Sequence, residues 1–146
     1  MNLSEALIKQ IVESVMKEQF GQSAASFQKT QDPSGIIQVK TDTVKCEPFG
    51  ETPGVGLRDI LSLEEAPRIG AGIMELDHTR FEWTLTYDEY DMVIDGELEI
   101  EIDGRTISGG PGDILYIPKG SHIFFKTPSK ARYAYFVYPA NWQEQE

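Results

Sequence analysis

Apolar positions change their period once along this chain. In "NLSEALIKQIVESVMKEQFG", Leu3, Leu7, Ile11 and Val15 recur every four residues, and Ile8, Val12, Met16 and Phe20 form a second row beside them. Rows of that spacing share one side of a helix, so residues 1–20 are predicted to form an amphipathic helix with Lys9, Glu13, Lys17 and Glu18 elsewhere. Asn2 with Glu5 makes a start signal, and Gly21 a stop. The following "GQSAASFQKTQDPSG" has little to bury and predicts a flexible linker over residues 21–35.

From Ile36 onward the helical period is gone. Short β-branched and aromatic segments such as "FEWTLTY", "EYDMVI", "ELEIEI", "DILYIP", "HIFFKT" and "ARYAYFVYP" are separated by Gly, Pro or Asp-Gly. That pattern predicts an all-β sandwich or barrel over residues 36–146. Asp95-Gly96 and Asp103-Gly104 are tight-turn candidates, because both residue types tolerate positive φ. Between them Leu98, Ile100 and Ile102 take one face of a strand, and Glu97, Glu99 and Glu101 the other. Upstream, alternation sets Glu89, Asp91 and Val93 against Tyr90, Met92 and Ile94. Burial statistics alone would put the acids in water.

A length of 146 residues suits one domain with a modest extension. The net charge of −11, with no cluster of Lys and Arg, argues against nucleic acid and anionic membranes as partners, while a local anion pocket stays open. Cys46 is the only cysteine, so neither an internal disulfide nor a cysteine-based zinc site can form, as suits a reducing interior. No apolar run approaches the ~20 residues that span a bilayer. The N-terminal pattern is not that of a signal peptide, and a cytoplasmic location is expected.

The phosphate loop GxxxxGK[ST], the GxSxG elbow and the HExxH helix are all absent. His78 and His122 are the only histidines, so one subunit cannot build a three-histidine metal site. Two spacings remain: Glu89, six residues, Gly96; and Gly112, five residues, Pro118, one residue, Gly120. They resemble the two motifs of the cupin superfamily, which implies a double-layered antiparallel β-barrel of the jelly-roll type. Where cupins carry metal-binding histidines, this chain has Trp83 and Leu85 (or Glu82 and Thr84 on the longer spacing) and Ile123. His122 comes one residue early, which turns it to the opposite face. Of the four ligands only Glu89 survives, so no transition metal is expected.

Phe81 to Trp142, with "WTLTYDEYDMVIDGE", "IPKGS" and "YPANW", is similar to the EutQ family of ethanolamine-utilisation proteins. The resemblance implies a cupin associated with a bacterial microcompartment, acetate kinase activity, and Mg²⁺ and ATP/ADP as cofactors. An amphipathic segment over residues 1–20 can pack on its own domain or on a second subunit; the resemblance implies instead that it docks onto shell or cargo proteins.

The cupin correspondence reverses the orientation that burial statistics favour. Glu89 and Asp91 are then expected to share an enclosed mouth with Tyr87 and with Glu75 from "IMELD". Two carboxylates held together retain a proton or bind Mg²⁺. Lys126 and Arg132 are candidate cations for phosphoryl transfer, weighed against ordinary surface charges. Tyr116 and Tyr133 are candidates to stack a purine or to fill the barrel, and neither histidine is assigned chemistry. The alternative is a non-catalytic, metal-free cupin that binds a small molecule or organises cargo. Phe124, Phe125, Tyr135 and Tyr138 are expected to pair two copies into a homodimer.

Overall fold

The computed structural model of the chain describes residues 27–144. The helix expected over residues 1–20 and the start of the linker lie outside the described residues. Residues 27–45 and 46–144 belong to separate compact units. In the first, β1 (Lys29–Gln31) pairs antiparallel with β2 (Ile37–Val39), Thr30 opposite Gln38. "DPSG" makes the turn: the Asp32 carboxylate accepts the Ser34 N–H at 2.9 Å, and Gly35 supplies φ 101°. A strand therefore lies within the stretch expected to be linker, and turn chemistry rather than apolar content is its signal. A 3-10 turn, Thr41–Thr43, follows.

The second unit contains β3 (Glu47–Pro48), β4 (Val55–Asp59), β5 (Gly70–Asp77), β6 (Arg80–Thr84), β7 (Asp88–Gly96), β8 (Leu98–Ile102), β9 (Arg105–Gly109), β10 (Ile114–Ile117), β11 (His122–Lys126) and β12 (Lys130–Tyr138). All pairing is antiparallel. One sheet has the order β10-β7-β12-β5-β4-β3, the other β6-β11-β8-β9. From β5 onward the chain crosses repeatedly between the sheets, and apolar side chains from the inner faces of both fill one core that includes Leu76, Leu98, Ile123 and Tyr133. The expected closed barrel is corrected to two open sheets. Closure needs a hydrogen-bonded seam, and the edge strands β10 and β3 are only four and two residues long.

Of the two Asp-Gly turns, one is a hairpin. Asp103 (φ 47°) and Gly104 (φ 79°) join β8 to β9, with Ile102 opposite Arg105. Asp95-Gly96 instead takes the chain from one sheet to the other. Gly96 has φ 78°, and a Cβ there would lie 2.0 Å from the Lys130 carbonyl oxygen, so the corner admits only glycine.

The residues expected to pair two copies divide. Phe125 and Tyr135 are buried in the core. Phe124 lies under the Arg80 guanidinium, 3.7 Å from its ring centroid. Tyr138 is exposed, and the sheet that carries it also exposes Tyr90, Met92, Ile114, Tyr116 and Phe136. Odd positions of β12 point inward, so a reading by residue type alone picked both faces.

Tyr135 turns inward opposite Gly72 of β5, and a Cβ on Gly72 would fall 2.1 Å from its hydroxyl oxygen and 2.7 Å from the Arg58 carbonyl oxygen. The missing side chain lets the ring lie across β5, where its hydroxyl hydrogen-bonds Asp59. Gly72→Ala is expected to destabilise the fold by about 3 kcal/mol, the upper end for overpacking, as read from urea denaturation midpoints.

Candidate functional site

β7 lies between β10 and β12, so both of its edges are hydrogen-bonded and its two faces differ only in what covers them. Glu89 stands opposite Ile117 and Val137, and Asp91 opposite Leu115 and Tyr135. Their side chains point inward: Glu89 is 5% exposed and Asp91 0%, while Tyr90 is 52% and Met92 38% exposed. The strand buries its acids and shows its apolar residues. Tyr90 finds compensation outside, its ring 4.9 Å from that of Tyr116.

Among the described residues no N–H or O–H donates a hydrogen bond to either oxygen of Asp91. Its polar neighbour is the Glu89 carboxyl, within hydrogen-bonding reach. Two ionised carboxylates cannot hydrogen-bond each other, so this contact needs a proton. Burial raises the Glu89 pKa. Burial, then the Glu89 charge, raises that of Asp91 well above the ordinary carboxylate range. Tyr87 continues the line: its hydroxyl hydrogen-bonds Glu89 and accepts the Trp83 indole N–H at 2.7 Å. Burial, followed by the Glu89 charge, raises the Tyr87 phenol pKa too, so it stays a donor. Trp83, Tyr87, Glu89 and Asp91 form a line of neighbouring polar groups that ends on an acid pair, with no cation beside it among the described residues.

Glu89 faces a cavity of about 20 Å³, room for about one water. Phe49, Trp83, Tyr87, Tyr135 and Trp142 wall it. Trp142, on the 3-10 turn Trp142–Glu144, packs its ring 5.4 Å from Tyr87, 6.0 Å from Trp83, 6.2 Å from Phe49 and 6.4 Å from Tyr135. The ring planes meet at 52–72°, as walls do rather than as a stack. Trp83 and buried Leu85 and Ile123 occupy the positions that the cupin motifs give to histidine. The sequence marks neither Phe49 nor Trp142 as a site residue, and Trp142 stands out only within the family-like "YPANW".

The remaining candidates separate from the pair. Arg132 and Glu75 point away from the core and bond each other, which removes Glu75 from the expected mouth and makes Arg132 a surface charge. Alternation along β5 and β12 is the reason, since Met74 and Tyr133 take the inward positions. Lys126 pairs with Glu101 at 3.3 Å on the other sheet, where Arg80 joins them. Tyr116 is exposed, with its hydroxyl 3.1 Å from Asp88, so it and the acid pair lie on opposite faces of the sheet. Tyr133 is wholly buried and donates to the Met74 sulfur at 2.7 Å, filling the core. His122 bonds Glu82 on the outer surface, and His78 (φ 45°) bonds Asp77 in a turn. Among the described residues no three or more His, Cys, Asp or Glu converge as a metal site, and no helix is long and apolar enough to cross a membrane.

Raised pKa values fix the sign of a stability effect. The folded chain holds protons that the unfolded chain releases above the ordinary carboxylate range, so this contribution is present at low pH and lost as pH rises toward the folded-state values. Asp91→Asn is therefore expected to melt higher than the unsubstituted protein at about pH 8, by about 4–8 °C per kcal/mol recovered, with the gap closing toward about pH 4. Thermal melts at both pH values check it.

The profile of the family described as "Ethanolamine utilisation protein EutQ" matches residues 3–144. A Clostridioides difficile (strain 630) protein named acetate kinase EutQ is 43% identical over 150 residues, 99% of this chain and 94% of its own. A Salmonella typhimurium protein of the same name is 38% identical over 149 residues, 96% of this chain but 64% of its own. The solved structure of the Clostridium difficile EutQ protein superposes with a TM-score of 0.77 at 45% identity, covering 82% of this chain and 92% of that one. At fold level alone, the cupin domain of Schizosaccharomyces pombe Cnp3 superposes with a TM-score of 0.58 at 13% identity, over 74% of this chain and 80% of that one. An antiparallel cupin fold and a match along nearly the whole sequence lead to one assignment: the chain belongs to the EutQ family of ethanolamine-utilisation proteins.

Proposed function

We propose that the chain is an acetate kinase of ethanolamine utilisation, moving a phosphoryl group between acetyl phosphate and ADP. The observation that carries this reading is the 43% identity over 99% of the chain to a relative named acetate kinase. The interior pair offers such a reaction a proton shared by Glu89 and Asp91, which can hydrogen-bond the neutral carbonyl oxygen of the acetyl group once Trp142 moves aside.

Mg²⁺ does not fit this interior. The ion keeps several waters and wants six oxygens, whereas the cavity has space for about one water and presents aromatic walls and one carboxylate. Lys126 and Arg132, each paired with an acid on an outer surface, do not reach the cavity to offset phosphate charge.

The second reading is a non-catalytic, metal-free cupin that binds a small ligand or organises cargo. It is favoured by the same cavity, which no cation lines among the described residues. In either case the apolar stripe of residues 1–20 supports docking onto microcompartment shell or cargo proteins. The exposed apolar face around Tyr90, Met92 and Phe136 supports a homodimer, for which sedimentation at micromolar concentration should give twice the chain mass.

Purified protein given acetyl phosphate, ADP and Mg²⁺ is expected to form ATP, and Glu89→Gln to lower the rate by about 10²-fold or more, as loss of a proton-handling group does. No ATP from the unsubstituted protein would leave the second reading. An unchanged rate in the variant would move the chemistry away from the pair.

A further inference from the structure

The cavity wall combines two features that select the same kind of ligand. Tryptophan and tyrosine faces attract positive charge through the ring quadrupole. Among the described residues Glu89, with Asp91 behind it, is the only charged side chain in contact with the space, and no Lys, Arg or His lines it. A core built only for packing has no use for two buried acids, one with both oxygens lacking a donor. We propose that the space beneath Trp142 binds a small alkylammonium ion, with its charge against Glu89 and its carbons against the faces of Trp83, Tyr87 and Trp142.

Other occupants match less. A phosphate or carboxylate would meet negative charge with no cation to offset it. A hydrated divalent ion exceeds the space and gains nothing from apolar walls. An organic cation uses both the acid and the rings, and it takes over the role that a proton fills when the cavity is empty of ligand. At about 20 Å³ the cavity holds less than such an ion needs, so entry requires a wall to move. Trp142 is the wall suited to it, since a three-residue turn rather than a strand carries it.

The proposal rests on the acid pair facing a ligand, and not on phosphoryl transfer. Protein that binds the ammonium ion without making ATP would lose the kinase reading and keep this one; the reverse result would do the opposite.

Both tryptophans of the chain border the space, so intrinsic fluorescence reports on it directly. The full chain is titrated with ethylammonium and tetramethylammonium chlorides, against tert-butanol as the neutral isostere, KCl and MgCl₂. The expected result is a saturable change in tryptophan emission and a rise in melting temperature with an alkylammonium salt alone. Glu89→Gln is expected to weaken binding about tenfold or more. Absence of a saturable response to either ammonium ion up to about 0.1 M, an equal response to tert-butanol, or undiminished binding by a folded Glu89→Gln protein would overturn the proposal. If the variant does not fold, the contrast between charged and neutral isosteres in the unsubstituted protein decides alone.

Discussion

Glu89 and Asp91 are enclosed side by side between two sheets, and much of the molecule follows from how that arrangement is tolerated. Taking two ionised carboxylates out of water without a counter-ion costs several kcal/mol each, more than a small domain can spare. A retained proton reduces the charge and supplies the hydrogen bond that the Asp91 oxygens otherwise lack. Tyr87 and Trp83 then tie the acids to the cavity wall through their own polar atoms. The same inward turn of β7 forces Tyr90 and Met92 outward, where they join Ile114, Tyr116 and Phe136 in an apolar face. One choice of strand direction thus sets both the interior chemistry and the character of the outer surface.

The aromatic wall occupies the ground that the cupin motifs give to metal ligands. Trp83 replaces an imidazole with a ring that donates one hydrogen bond and offers a face, and Leu85 and Ile123 are packed into the core. What remains polar there is acidic. The interior therefore favours protons and positively charged organic groups over transition metals and free phosphate, which is why the kinase reading draws its support from the relatives' names more than from the cavity.

Legibility in the sequence varied with how local the controlling physics is. The strands, the Asp103-Gly104 hairpin and the wet and dry faces of β8 follow from period-two alternation and turn residues, and all are present. Alternation could not say which face of β7 is inside, because both faces are covered in part; the spacing from Glu89 to Gly96 settled it through a family likeness. The sequence places Glu75 at the mouth and leaves Lys126 and Arg132 as candidate cations or ordinary surface charges, whereas strand phase sends each outward into an ion pair. Trp142 and Phe49 were not named as site residues because they reach the cavity from segments beyond the regular strands. Asp95-Gly96 reads as a tight turn like Asp103-Gly104, because local turn chemistry does not record which sheet the next strand joins.

Carboxyl groups keep an infrared C=O stretch only while protonated, and that band tests the shared proton most directly. At neutral pH the protein should show a protonated-carboxyl band that persists well above the ordinary carboxylate range and shifts in frequency in Asp91→Asn and Glu89→Gln, where a single buried carboxyl remains. A spectrum in which every carboxyl is ionised by about pH 6, with no difference between the protein and these variants, would contradict the account.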